Sequence, residues 1–324
     1  MTDSWRRIAI CTVGHALAAA ACSGILLFAA PAPIEATQGR TGSVTLVPAA
    51  ERISDEDARL SLARLLAYDD DRLDESIREY LHLLRIRSGD NTIRRELARI
   101  FMRQKKYGDA AREFHAVLKI EPGDLEAQRG LGQIALWTGD YPEAIRLFKE
   151  ILQRPEEDAE TRLSLARAYH WSGRHEPAMA AYEQALALIK NPGAELFSET
   201  GDNFLSGGRL PEAVASFRRA SRMSPDKTEF EKKLGLALSW NGDDLEALTV
   251  LEKLHGILPK DREIAVELAR VHFRAKAWSR AQAILTDLLR HFPADADILL
   301  ELADIAAVRG HAGRCRELYL EVLS

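Results

Sequence analysis

The residues that decide the fold run from 125 to 158 and read LEAQRGLGQIALWTGDYPEAIRLFKEILQRPEED. The same pattern recurs every 34 residues from Asn91 onward, with one extra residue, Gly193, inside the array. We name these units repeats II to VIII and number positions from the first residue of each. Those first residues are Asn91, Leu125, Ala159, Ala194, Thr228, Arg262 and Ala296.

Each unit predicts two antiparallel helices, because apolar residues at positions 4, 7, 8 and 11 and at 20, 24, 27 and 28 follow helical spacing. Small residues at position 8 should let the two helices approach closely. That position holds Ala98, Gly132, Ala166, Gly201, Gly235, Ala269 and Ala303. Glycines at position 15 should end the first helix in a left-handed conformation. They are Gly139, Gly173, Gly208, Gly242 and Gly310.

Aspartates stand immediately before five of the units, where a side-chain oxygen can cap the first helix. They are Asp90, Asp124, Asp158, Asp261 and Asp295. The spacing therefore predicts where each unit begins as well as its helical class.

The repeat pattern resembles the tetratricopeptide repeat family. The similarity is carried by Leu131-Gly132, Gly139-Asp-Tyr141-Pro-Glu-Ala144 and Phe148, and by Leu165-Ala166, Tyr169, Gly173, Ala178 and Tyr182. It implies an all-α fold, a right-handed α-solenoid or superhelix of about eight antiparallel helix pairs. Residues 54–90 are interpreted as a degenerate first repeat, repeat I, and residues 91–324 as seven repeats, the last incomplete.

The N-terminus predicts an export signal. Arg6 and Arg7 precede a stretch from Ile8 to Ala30 that carries no charged residue. Residues 1–36 are then a signal peptide cleaved after Ala36 or an uncleaved signal anchor that tethers the protein to a membrane. Residues 37–53 are expected to be a flexible linker. Both alternatives place the body outside the cytoplasm, in the periplasm or anchored and facing it.

Composition and motifs argue against several classes of function. The formal net charge is −5, which disfavours a nucleic-acid partner. Three cysteines cannot form a disulfide framework. The sequence lacks a phosphate-binding glycine loop, a Gly-x-Ser-x-Gly elbow and a metal-ligand cluster at ligand spacing. We therefore expect no catalytic activity, cofactor or metal.

The first helices of the repeats should form a concave binding groove lined by positions 2, 5, 9, 12 and 13. Arginine and tryptophan are frequent there and suit anionic or extended ligands. The candidate binding residues are Arg95, Arg99, Arg103, Arg129, Trp137, Arg167, His170, Trp171, Trp240, Arg270 and Arg274.

Alternative explanations exist for some of these residues. The tryptophans could fill gaps between neighbouring helices. Arg99 and Arg270 follow acidic residues by three positions and could pair with them. Arg167 has no such neighbour, which makes it, with His170 and Trp171, the candidate least explained by helix stabilisation.

The predicted function is a non-catalytic scaffold of the bacterial cell envelope that binds an envelope protein or peptide segment in the groove. The alternative is a polysaccharide-binding module of an exopolysaccharide export or assembly system, with an acidic polysaccharide as partner. Three turn sequences are similar to repeats of periplasmic scaffolds in such systems: Leu136-Trp-Thr-Gly139, His170-Trp-Ser-Gly173 and Ser239-Trp-Asn-Gly242.

Overall fold

The computed structural model describes residues 54–154 and 158–323. The predicted signal segment, 1–36, and linker, 37–53, lie outside these ranges. The described residues form sixteen α-helices and one 3-10 turn, with no β-strand. The helices are α1 Asp55–Leu66, α2 Leu73–Ile86, α3 Asn91–Arg103, α4 Tyr107–Ile120, α5 Leu125–Trp137, α6 Tyr141–Ile151, α7 Ala159–Trp171, α8 His175–Leu188, α9 Ala194–Ser206, α10 Leu210–Met223, α11 Thr228–Asn241, α12 Asp244–Ile257, α13 Arg262–Arg274, α14 Trp278–Leu289, α15 Ala296–Val308 and α16 Ala312–Val322.

The described residues divide into two compact units, one that ends at Ile93 and one that begins at Arg94. In the first unit α1 packs against α2, and the buried Ser76 hydroxyl donates a 2.7 Å hydrogen bond to the Ala63 carbonyl. Arg59 joins the two helices at their rim through Glu79, 3.0 Å away. None of the helices described here is long and apolar enough to cross a membrane.

The second unit is a stack of helix pairs, and from α4 to α16 each helix packs on the next along the chain. The first helix of every repeat from II to VIII begins at the residue where the sequence pattern begins. Gly193, the inserted residue, stands at the N-cap of α9 and leaves the helix register unchanged. The prediction of an all-α solenoid of helix pairs is confirmed.

The predicted caps and turns are also found. Asp124 accepts a hydrogen bond from the Ala127 amide at 2.8 Å, and Asp158 accepts one from the Thr161 amide at 3.1 Å. The glycines predicted to be left-handed have φ between 74° and 87°. The five repeats with a preceding aspartate therefore start, and the five with a glycine at position 15 turn, through the local interactions that the sequence predicts.

The close approach of the two helices depends on position 8. A β-carbon added to Gly132 would lie 2.6 Å from the Phe148 ring, and one added to Gly201 would lie 2.6 Å from the Phe217 ring. Both rings stand at position 24 of their repeats and are fully buried. Glycine at position 8 has no side chain, which leaves room for the large ring at position 24. These two positions together set the distance between the two helices.

Replacing Gly201 by alanine should lower the free energy of unfolding by about 1–2 kcal/mol, because overpacking the Phe217 ring outweighs the better helix propensity of alanine. Gly256→Ala in α12 is the matched control, since nothing lies within 4 Å of the new β-carbon, and it should raise stability by about 0.5–1 kcal/mol. Equilibrium denaturation measures both. Equal effects of the two variants would contradict the packing constraint.

The buried His272 and the half-buried His175 predict a loss of stability in acid. Burial lowers the pKa of His272, and burial followed by the nearby His170 lowers the pKa of His175. The unfolded chain therefore binds these protons more readily than the folded chain, so the free energy of unfolding should fall as pH drops below about 6.5. Denaturation at a series of pH values should show a shallower fall for His272→Gln. The same substitution at exposed His291 is the control and should leave the slope unchanged.

Candidate functional site

The predicted binding residues lie on the first helices of the second unit, and most of the arginines contact the next repeat. We call positions 2, 5, 9, 12 and 13 of these helices the first-helix face. One set of contacts joins position 5 to the helix cap and position 2 of the following repeat. Arg129 lies 2.6 Å from Asp158 and 3.1 Å from Glu160. Lys232 contacts Asp261 and Glu263, each at 2.8 Å, and Arg95 pairs with Asp124 in the same way.

A second set of ion pairs joins position 9 to position 6 of the following repeat. Arg167 contacts Glu199 with two nitrogens, Nε at 2.7 Å and Nη2 at 2.9 Å. Arg270 contacts Glu301 at 2.7 Å and its own helix neighbour Glu267 at 3.1 Å. Arg99 reaches position 2 of the next repeat, with 2.5 Å between its Nη2 and the Glu126 carboxylate. These arginines therefore link neighbouring repeats.

The partner of Arg167 is Glu199, which lies on the next repeat and not on the helix of Arg167 itself. Burial disfavours the guanidinium, but hydrogen bonds to Glu199 outweigh it, and the pKa of Arg167 is raised. Glu199 also accepts a 2.7 Å hydrogen bond from the buried Tyr182 hydroxyl. Burial raises the pKa of Tyr182 well above its usual value, so the phenol stays protonated and donates. Arg167 is held in a network between α7, α8 and α9.

The polarity of this contact is reversed one repeat further along. Asp202 occupies position 9 of repeat V, and Lys233 occupies position 6 of repeat VI, with 2.7 Å between carboxylate and ammonium. The Ser198 hydroxyl lies 3.2 Å from the same ammonium. Burial raises the pKa of Asp202, and Lys233 offsets only part of that shift. Position 9 again pairs with position 6 of the next repeat, but here the acid is at position 9 and the base at position 6.

His170 also faces the next repeat. Its Nδ1 donates to the Asn203 side-chain oxygen at 3.0 Å, and its ring meets the edge of the His175 ring with 5.9 Å between centroids. The Arg274 guanidinium instead contacts the preceding repeat, where it lies 2.7 Å from the Asp244 carboxylate and 2.7 Å from the Ser239 hydroxyl. Arg103 is exposed at the end of α3.

The three tryptophans differ in exposure. Trp137 is 44% exposed and lies 5.8 Å from the Tyr107 ring between centroids. Trp171 is 38% exposed, whereas Trp240 is half-buried against the core. The gap-filling alternative therefore describes Trp240 best, while Trp137 and Trp171 keep large open surfaces. Tyr107 was not among the predicted binding residues, although aromatic residues recur at position 17 of three repeats, as Tyr107, Tyr141 and Trp278.

The prediction that positions 2, 5, 9, 12 and 13 all line an open groove was wrong for some repeats. Leu136 and Ser239 at position 12 and Ser198 and Val266 at position 5 are buried. These side chains face neighbouring helices, because an adjacent repeat covers more of each first helix than the spacing of apolar residues within that helix predicts. Among the described residues, no three His, Cys, Asp or Glu side chains are placed to share a metal ion.

The Arg167 and Glu199 side chains should show a coupling energy of about 1 kcal/mol in a double-mutant cycle of Arg167→Ala and Glu199→Ala. The contact is bidentate, but the Arg167 side chain is still one-third exposed, so water screens part of the attraction. Arg290 and Asp287 form the control pair, which is mostly exposed and should couple by less than about 0.5 kcal/mol. Denaturation of the four variants of each pair measures this. A coupling near zero for Arg167 and Glu199 would refute the structural role of the pair.

Comparison with solved structures shows the same fold in other proteins. The C-terminal part of a TPR repeat-containing protein from Cytophaga hutchinsonii is 16% identical, with a TM-score of 0.61, over 75% of this chain and 99% of that one. A tetratricopeptide repeat protein from Parabacteroides merdae is 16% identical, with a TM-score of 0.51, over 72% and 91%. YrrB, a TPR protein with an unusual peptide-binding site, is 18% identical, with a TM-score of 0.50, over 57% and 95%.

Family comparison agrees with these likenesses. Two family models, each described as a tetratricopeptide repeat, match residues 95–158 and residues 136–196 and 241–305. Together the matched segments cover just over half of the chain. No curated protein matches the sequence. The repeat spacing, the paired helices and these matches lead to one conclusion: the chain belongs to the tetratricopeptide repeat family.

Proposed function

We propose that this protein is a non-catalytic scaffold, exported to the bacterial cell envelope, that binds a segment of a partner protein along the first-helix face. The tetratricopeptide repeat fold supports protein–protein interaction in general. The envelope location rests on the uncharged stretch from Ile8 to Ala30 after Arg6 and Arg7.

The observation that carries the proposal is the ordering of charged side chains on the first-helix face. Arg99 is about half exposed, yet Glu126 of the next repeat fixes its position. Arg129 is held likewise by Asp158 and Glu160. A partner that binds such side chains loses little conformational entropy in ordering them, which favours affinity.

The same pairing indicates what kind of partner fits. Exposed carboxylates such as Glu160 and Glu263 lie beside the cations, so the face offers both signs of charge. A peptide segment with mixed charges and its own backbone hydrogen-bonding groups matches this surface better than a uniform polyanion does. Two partly buried acids, Asp202 on the face and Glu199 beside it, are held by cations, which supports a binding role rather than acid–base catalysis.

The second candidate is binding of a polysaccharide. It is favoured by one observation, the open surfaces of Trp137 and Trp171 at the same position of adjacent repeats. Flat indole faces can stack on sugar rings, and nearby arginines could pair with acidic substituents.

Site-specific crosslinking in intact cells tests both candidates. A photo-reactive phenylalanine analogue replaces Gln133, which lies at position 9 of α5 and is partly exposed. The control places the same analogue at Glu150, which is exposed on α6 of the same repeat. We expect a discrete envelope protein to be captured from position 133 and not from position 150.

The other outcomes decide against the proposal in different ways. Capture of a polysaccharide from position 133 alone would support the second candidate. Equal capture from both positions would refute the first-helix face as the binding site. Recovery of the captured partner in the cytoplasmic fraction would refute the envelope location.

A further inference from the structure

Basic residues are concentrated at the turns between the two helices of repeats II to IV. These turns are residues 103–107, RQKKY, residues 137–141, WTGDY, and residues 171–175, WSGRH. We call the three turns together the turn edge. It carries Arg103, Lys105, Lys106 and Arg174 against the single acid Asp140, in a chain whose formal net charge is −5. All four cationic residues are exposed.

Acidic residues are concentrated at the opposite ends of the same helices. The turns that lead into α5 and α7 supply the helix caps and the acids at position 2. They include Glu121, Asp124, Glu126, Asp158 and Glu160. Most of these acids pair with Arg95, Arg99 and Arg129, so that end of the helices is close to charge-balanced and the turn edge is the more positive of the two ends.

Aromatic rings accompany the cations on the turn edge. The Trp137 and Tyr107 rings lie 5.8 Å apart, on neighbouring turns, and Trp137 is nearly half exposed. Trp171 is similarly open, and Tyr141 is partly exposed. Tryptophan and tyrosine combine an apolar ring with one polar group, and both residue types are enriched where proteins contact the headgroup region of a membrane.

Lys105 occupies a backbone position that favours glycine. Its φ is +57°, whereas the equivalent residues of the next two turns are Gly139 and Gly173, with φ of +82° and +74°. Among the described residues, only Lys105 and Lys276 combine a side chain with positive φ. A lysine in this conformation destabilises the turn relative to glycine, so a glycine at position 105 would remove the charge without destabilising the fold.

We propose that the turn edge binds anionic lipid headgroups at a membrane surface. Lys105, Lys106 and Arg174 attract the negative headgroups, and the Trp137 and Trp171 rings enter the headgroup layer. The cations and both tryptophans of these three consecutive turns are exposed, which suits contact with a broad surface. The turn edge shares Arg103, Trp137 and Trp171 with position 13 of the first-helix face, but Lys105, Lys106 and Arg174 lie outside that face. The test uses lipid vesicles without a protein partner, so this inference can fail separately from the proposed function.

The test measures how the full-length protein partitions onto phosphatidylcholine vesicles with and without phosphatidylglycerol. Residues 1–53 are present in every variant, so the ratio of the two partition coefficients isolates the contribution of lipid charge. We expect Lys105→Gly to lower that ratio about fivefold and Lys105→Gly with Arg174→Gln to lower it about 25-fold. Added salt should reduce the wild-type ratio.

Lys276→Gly is the matched control. Lys276 has φ of +60° at the equivalent turn of repeat VII, outside the turn edge. Both glycine variants should raise the melting temperature, so weaker binding by Lys105→Gly cannot come from unfolding. The Lys276→Gly ratio should equal that of the wild type.

Three results would overturn the inference. The first is an equal affinity of the wild type for neutral and anionic vesicles. The second is an equal loss of binding in Lys105→Gly and Lys276→Gly. The third is tighter binding to soluble polyglutamate than to the anionic vesicles, which would identify the turn edge as a polyanion site instead.

Discussion

The close approach of two helices at a small residue is the constraint on which this structure depends. Gly132 and Gly201 leave space for the Phe148 and Phe217 rings, and the rings fill each repeat from its second helix. At that distance the next repeat stacks with its cap beside position 5 of its predecessor, as in the contact between Arg129 and Asp158. The ion pairs between repeats therefore follow from packing within them.

The charged side chains of the first helices have two roles in the same place. The contacts from Arg129 to Asp158 and from Arg167 to Glu199 join neighbouring repeats, and their outer atoms remain open to a partner. Because each exposed cation stands near a carboxylate, the first-helix face has no strong net charge. The turn edge differs, since Lys105 and Arg174 stand at exposed tips among few acids. The molecule thus separates a charge-balanced face from a basic edge.

Much of the fold could be predicted from the sequence, because the helix starts, caps and left-handed glycines depend on residues within a few positions of one another. The contacts of the candidate site could not, since they connect different repeats. Glu199 lies 32 residues after Arg167, and a search limited to one helical turn does not reach it. The exposure of Trp137 and the half-burial of Trp240 differ for the same reason, because each depends on the neighbouring repeat. A search for opposite charges about one repeat apart would have found these pairs.

The exchanged charges of Asp202 and Lys233 affect how the repeats can be assembled. If repeat VI docked directly on repeat IV, Lys233 would meet Arg167 in place of Glu199. If repeat VII docked on repeat V, Glu267 would meet Asp202 in place of Lys233. Both misplacements bring like charges together in a partly buried contact, which is strongly unfavourable. The reversed pair therefore disfavours arrangements in which a repeat packs on the wrong neighbour, and so favours the correct order of otherwise similar repeats during folding.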